Sequence, residues 1–207
     1  MTAFIKDDNS LDLPGLEEAQ RLSARAGLRM TLVDLELPEW NKVQQRDRLL
    51  GTSHSLTSGT HGNPKEYEDY VLRVLRSAAN GESERYAAEL RVNAPLLVTT
   101  VKPEGTLSLV AGGVSPGIHM SHSPYYIRRM RISSIDPLVQ VVRELGWPIS
   151  PEVGTPGVSF EEQMNNARTL VIDFPVKTNS TQTKNDVSLS DQMDTYFQFQ
   201  ENYTNHN

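Results

Sequence analysis

APLLVTTVKPEGTLS (residues 94–108) is the stretch on which the reading of the fold turns. Ala94 to Val101 is a near-continuous run of apolar and β-branched residues of strand length. Such a run suits a parallel strand covered on both faces rather than an alternating surface strand. The polar loop Lys102-Pro103-Glu104-Gly105-Thr106 follows without a spacer and leads toward a short helix. A buried strand, a glycine-bearing turn and a helix start form the local grammar of an α/β fold.

Working outward toward the N-terminus, Ala19, Leu22, Ala26, Met30, Val33 and Leu37 recur at three- and four-residue intervals. That period predicts one helix from Leu16 that ends at Pro38, with Gly27 costing it about 1 kcal/mol of propensity. RDRLLGTS (46–53) reads as a second strand, followed by a polar loop. Asn63, Pro64 and Glu66 then give the signature of a helix start resembling a capping box. Tyr67, Tyr70, Val71, Val74, Leu75 and Ala78 supply the buried stripe of this helix, and Gly81 either breaks or bends it. Toward the C-terminus, Thr169 to Phe174 (TLVIDF) predicts a strand ending ahead of Pro175, and Ser188 to Glu201 a helix. Neither a repeat nor a low-complexity linker interrupts residues 1–207, which read as a single unit.

The 207 residues are 37% hydrophobic, enough to bury a core, and 22% charged. Lys and Arg number 20 against 26 Asp and Glu, a formal charge of −6, so the chain has no cationic excess for a nucleic-acid backbone. No apolar run reaches the roughly 20 residues that span a bilayer, and MTAFIKDDNS is not a secretion signal. The expectation is a cytoplasmic protein with neither nucleic acid nor membrane as partner. Cysteine is absent, which excludes disulfides, thiolate metal ligation and thiol redox chemistry from within these residues.

Four groups of residues invite chemistry. In the 102–108 loop, free backbone N–H groups and a helix dipole would favour an anion, with Gly105 permitting close approach and Thr106, Ser108 and Lys102 as donors. A tight turn, with Pro103 fixing φ and Thr106 as a cap, explains the same residues without a ligand. His119 and His122 have the HxxH spacing of a metal site, but Gly117 and Pro124 disfavour the helix that would align them. Loop histidines bonded to the backbone are the better reading. Tyr125, Tyr126, Arg128, Arg129 and Arg131 crowd rings and guanidinium groups that either grip a nucleotide or planar cofactor or form an exposed basic edge. Ser53 and His54, adjacent in sequence, lack the elbow motif of a hydrolytic triad.

TTVKPEGTLS (99–108) and SHSPYYIRRMRIS (121–133) together resemble the adenosylcobalamin-dependent ribonucleoside-triphosphate reductases. So do AQRLSARAGLRMTLVDLELPEW (19–40), RDRLLGTS (46–53), NARTLVIDFPVK (166–177) and ENYTNHN (201–207), in the family's order. The resemblance implies part of a ten-stranded α/β barrel of the ribonucleotide reductase type, from its second half. It implies adenosylcobalamin as cofactor and a ribonucleoside triphosphate as substrate, reduced at its 2′-position through a thiyl radical. Substrate phosphates are then expected at Pro103, Glu104, Gly105, Thr106 and Ser108. The cobalamin side of the barrel mouth is expected around His122, Tyr125, Tyr126 and Arg128. The family's radical cysteine and terminal cysteine pair would lie in segments before Met1 and after Asn207, borne by the remaining reductase segments as partners. This chain alone is expected to be inactive. The loop HSLTSGTHGNPKE (54–66) departs from the family's pattern. The competing expectation is a non-catalytic remnant or nucleotide-binding module on the same core.

Overall fold

Eighteen residues from Leu13 to Met30 form the first helix, α1, whose entry is fixed by the Asp12 carboxylate accepting from the Gly15 amide at 3.3 Å. The computed structural model describes residues 4, 6, 8, 10–53, 65–105, 108, 117–178 and 182–205. They fall into two compact units, one of Met1–His122 with Asn179–Asn207 and the other of Ser123–Thr178.

In the first unit α1 stops at Met30, and a separate helix α2 (Pro38–Asp47) begins at the proline expected to end the first. Proline at the first helical position loses no hydrogen bond, because that N–H has no partner in a helix anyway. The turn between them is held by Thr31, whose carbonyl accepts from Arg48 Nη1 (3.1 Å) and Gln44 Nε2 (3.2 Å). The buried face also differs from the expected stripe: Leu16, Gln20, Ala24 and Leu28 are buried, whereas Leu22 and Met30 are exposed. Arg48 ends α2 in the left-handed conformation (φ 43°), so extended chain begins only after it, later than the expected start at Arg46.

The long helix α3 (Lys65–Leu90) runs through Gly81 without a break. Asn63 and Pro64, read as its start signal, lie outside the described residues. Val71, Leu75 and Ala78 are buried as expected, joined by Leu72 and Ala79, while Tyr70 is exposed. One apolar cluster joins Leu16, Val71, Leu72, Leu75, Phe199 and Tyr203. A second joins Ala24, Leu28, Leu50, Ala79, Tyr86, Ala87 and Val98. Each fully buried Leu contributes about 1.5–3 kcal/mol of burial. The last helix of this unit carries Phe199 and spans Leu189–Asn202, close to its predicted bounds.

Residues 97–100 pair in parallel with residues 50–52 through a bridge at Thr52 and Thr99. Thr52 donates its N–H to Val98 O at 3.0 Å and Thr100 donates to Thr52 O at 3.1 Å. On the opposite side Asn205 N–H donates to Thr99 O at 2.8 Å. Among the described residues, parallel pairing is confined to this bridge and to one between Ser121 and Thr183.

The second unit is a three-stranded antiparallel sheet with two short helices. In chain order it has β1 (Tyr125–Ser133), α4 (Leu138–Glu144), β2 (Ile149–Pro151), α5 (Phe160–Asn166) and β3 (Thr169–Lys177). The last helix of the first unit is accordingly α6. Strand order is β1-β3-β2, with Val139, Ala167 and Leu170 buried beneath the sheet. The strand predicted to stop before Pro175 continues to Lys177. Bonds from Asp173 N to Pro148 O and from Glu152 N to Thr169 O place odd-numbered β3 groups on the β2 side. The β2 ladder reaches only Leu170 to Ile172, so Pro175 lacks its N–H where no partner would receive it. The α/β class thus stands, although the sheet of the second unit is antiparallel and β1 forms in a segment where the sequence predicts only crowded aromatic and basic residues and no strand.

Candidate functional site

The parallel bridge delivers the 102–105 loop. Ser53 Oγ accepts the Lys102 N–H at 3.0 Å, fixing the point where the strand leaves its neighbour. Gly51 lies beneath: a Cβ there would meet Thr100 Cγ2 at 3.3 Å and Lys102 Nζ at 3.4 Å, so glycine leaves room for the lysine side chain. Ser108 is buried; its N–H donates to Glu104 O (2.9 Å) and its hydroxyl to Gly105 O (3.1 Å). These bonds close one helical turn starting at Glu104. Pro103 and Gly105 are exposed and Glu104 half-buried, whereas Thr106 lies outside the described residues. A Cβ built on Gly105 meets no described atom within 4 Å. The main chain there does not need glycine's freedom, and no described residue crowds the position.

Tyr203 is buried under this loop. Its hydroxyl donates to Thr52 O (3.0 Å) and accepts from Gln20 Nε2 (2.8 Å), and Gln20 also reaches Thr52 Oγ1 at 3.1 Å. Burial pushes the phenol well above its ordinary value, and the nearby Glu104 charge adds to the push. Asn205 braces the strand: its Oδ1 accepts from Val98 N (3.3 Å), Thr99 N (3.1 Å) and Thr99 Oγ1 (3.0 Å).

His119 and His122 are exposed, outside any helix, and His119 Nδ1 lies 3.0 Å from Met120 O, in keeping with the loop-histidine reading. Both line a cavity of about 470 Å³ with Met120, Lys184, Ser188 and Gln192, at the start of α6. Tyr125, Tyr126 and Arg128 belong to the other unit. Strand alternation separates them: Tyr126 and Arg128 share one face, with the guanidinium 5.7 Å from the ring centroid and Arg128 Nη2 3.1 Å from the phenol oxygen. Tyr125 shares the opposite face with Arg129 and Arg131. The five aromatic and basic residues therefore form two groups rather than one.

Sequence reasoning misses Gln20, Ser53, Lys184 and Asn205. In sequence Ser53 suggests only a hydrolytic nucleophile, whereas its hydroxyl fixes the start of the loop. Nothing local marks these residues, since their partners are 32 to 183 positions away for Gln20 and 106 to 107 for Asn205.

The assembly of helices and strands is that of a ribonucleotide reductase. A crystal structure of a B12-dependent (class II) ribonucleotide reductase matches 97% of this chain with a TM-score of 0.73 at 22% identity, over 30% of that protein. The adenosylcobalamin-dependent ribonucleoside-triphosphate reductase of Lactobacillus gasseri is 27% identical over 196 residues, covering 82% of this chain and 25% of the relative. The probable enzyme of the same name from Dictyostelium discoideum is 32% identical over 149 residues, covering 71% of this chain and 18% of the relative. No family model matches the chain. The chain belongs to the adenosylcobalamin-dependent ribonucleoside-triphosphate reductase family and spans about a quarter of the length of the curated relatives it matches. Among the described residues, no helix is long and apolar enough to cross a membrane.

Proposed function

We propose that this chain is part of the catalytic barrel of an adenosylcobalamin-dependent ribonucleotide reductase, one that converts ribonucleoside triphosphates to deoxyribonucleotides for DNA synthesis. Both compact units belong to one catalytic domain in this reading. Residues 50–53, 97–101 and the segment at Asn205 are three neighbouring positions of the ten-stranded barrel. Pro103, Glu104, Gly105, Thr106 and Ser108 receive the substrate phosphates. The observation that carries this reading is that no described atom lies within 4 Å of a Cβ at Gly105, at a turn whose start is fixed by Ser53 and Ser108. Exposed main-chain donors at the start of a helical turn, with an adjacent ammonium, suit a triphosphate.

Adenosylcobalamin supplies the initiating radical chemistry when bound. Tyr126 and Arg128, with the guanidinium 5.7 Å from the ring centroid, offer an aromatic and guanidinium surface to a large ring bearing amides, whereas Tyr125 on the opposite face of β1 and His122 in the other unit are not part of that surface. The chain has no cysteine, so the thiyl radical and the reducing thiols come from the remaining reductase segments.

Gly105→Trp tests the phosphate loop. Because a Cβ there meets no described atom within 4 Å, the substitution should leave the fold in place while filling the phosphate path. In the chain recombined with the cysteine-bearing segments, nucleoside triphosphate affinity should fall at least about tenfold, roughly 1.4 kcal/mol. Unchanged affinity removes the loop from the site. Purified alone with adenosylcobalamin and a dithiol, the chain should form no deoxynucleotide, and turnover would overturn the partial-enzyme reading. Affinity without restored turnover after recombination would favour a nucleotide-binding module.

A further inference from the structure

The outer edge of β1 has a pattern that the reductase reading does not use. The register pairs Tyr125 with Lys177 through Ser133 with Thr169, without a bulge. Bonds continuing the ladder at both ends, Thr178 N to Pro124 O (2.9 Å) and Ser134 N to Arg168 O (2.9 Å), fix its phase. Even-numbered β1 residues face β3, and odd-numbered ones direct their N–H and C=O groups away from the sheet. The Tyr125 carbonyl accepts from the Ser123 hydroxyl and the Ser133 carbonyl from the Asp136 N–H. Among the described residues, no hydrogen bond closes the backbone N–H or C=O of Ile127, Arg129 or Arg131.

The side chains of this edge are graded. Tyr125 (69% exposed) and Ile127 (58%) form an apolar end, and Arg129 and Arg131 a basic one. Arg131 Nε donates to Glu152 Oε1 at 2.6 Å, and Arg129 Nε lies 3.3 Å from Asp173 Oδ1 as an ion pair without a hydrogen bond. Both guanidinium groups thereby keep their terminal N–H donors. They border a cavity of about 420 Å³ floored by Val171, with Val153 at its rim. Arginine alone would be an ordinary guard against edge-to-edge aggregation. A guard does not explain the exposed Tyr125 and Ile127 on the same edge, or the absence of proline and bulge.

We propose that the edge of β1 is a strand-addition site for an extended acidic segment, entered antiparallel to β1. Its alternate residues would be two carboxylates opposite Arg131 and Arg129, then two apolar side chains opposite Ile127 and Tyr125. Main-chain bonds to residues 127, 129 and 131 supply affinity, and the graded side chains supply direction and selectivity. A second copy of the chain is a poor occupant, because residues 125–133 carry no carboxylate to set against Arg129 and Arg131. Symmetric pairing about Arg129 would set that arginine against its own copy and Ile127 against Arg131.

The test uses the full chain and a synthetic peptide of sequence Glu-Thr-Glu-Thr-Val-Thr-Val, with a scrambled peptide of the same composition. The ordered peptide should bind about tenfold more tightly than the scrambled one, as two cross-strand ion pairs and a fixed register require. It should also slow hydrogen exchange at Ile127, Arg129 and Arg131. Ile127→Pro removes an outward N–H and leaves the bonds to β3 intact, so it should abolish binding while β3 amides stay protected. The double substitution R129E/R131E should transfer preference to a peptide with lysine in place of glutamate. Three results each overturn the proposal: no binding at millimolar peptide, equal binding of the scrambled peptide, or undiminished binding by the Ile127→Pro chain. A dimer of the free chain that Ile127→Pro dissociates would assign the edge to self-pairing instead.

Discussion

Tyr203 has no exposed surface, yet its hydroxyl bonds to groups far away in the chain, Gln20 and Thr52. Burial raises the pKa of the phenol in the folded state above its unfolded value of about 10. The stability it contributes is therefore fully present below about pH 10 and is lost as pH rises through the folded value. Tyr203→Phe should cost about 1–3 kcal/mol at neutral pH, because Gln20 and the Thr52 carbonyl lose a buried partner. The same variant should flatten the alkaline limb of the stability profile, read by urea unfolding from pH 8 to 11. Gln20 illustrates what single residues conceal. Its polarity marks it as surface, and only the partners supplied by folding make its burial tolerable. The apolar period places the buried stripe of α1 on Ala19, Leu22, Ala26 and Met30 because it counts hydrophobicity and cannot foresee that satisfied amide.

Helices and strands were legible to the extent that their signals are local. Ser188 caps α6 and shares a full capping box with Asp191, whose carboxylate is held below its usual range by the Ser188 amide and hydroxyl. The cap is present above the ordinary carboxylate pKa and weakens as pH falls through the lowered folded value. Ser188→Ala should cost about 1 kcal/mol, measured by thermal unfolding at pH 7. Gly81 lies inside α3, and a Cβ added there meets no described atom within 4 Å. Gly81→Ala should therefore stabilise by about 0.5–1 kcal/mol. Failure to raise the midpoint would mean that the helix is not continuous there. Proline was the ambiguous sign. Pro38 starts a helix, and Pro175 sits inside a strand, because what matters is whether a neighbour awaits the missing N–H. That depends on tertiary partners and not on the flanking residues.

Across the molecule, the two compact units have unequal cores. The first joins two apolar clusters carried by α1, α3 and α6, whereas the second rests on Val139, Ala167 and Leu170. Hydrogen exchange should find the amides of β1 and β3 opening at lower free energy than those of α3 at Leu72 and Leu75. Equal protection would show that one cooperative transition covers both. The family was legible from contiguous blocks, and the phosphate-loop candidate lies within one of them. The grouping of His122, Tyr125, Tyr126 and Arg128 was less so. Adjacency in sequence suggests one surface, while strand alternation divides Tyr125 from Tyr126 and Arg128, and His122 belongs to the other unit.

Asn205 carries a consequence of another kind. Most strand pairing rests on main-chain groups, of which a missense change can delete only the N–H, and only by introducing proline. At Val98 and Thr99 the amide protons are received by a side-chain oxygen, so that part of the scaffold is written in the genetic code and open to mutation. A single nucleotide change at this codon can release the strand leading to Lys102 without touching any residue of the loop. Heritable variation can thereby adjust the loop's rigidity while leaving its chemistry as it was.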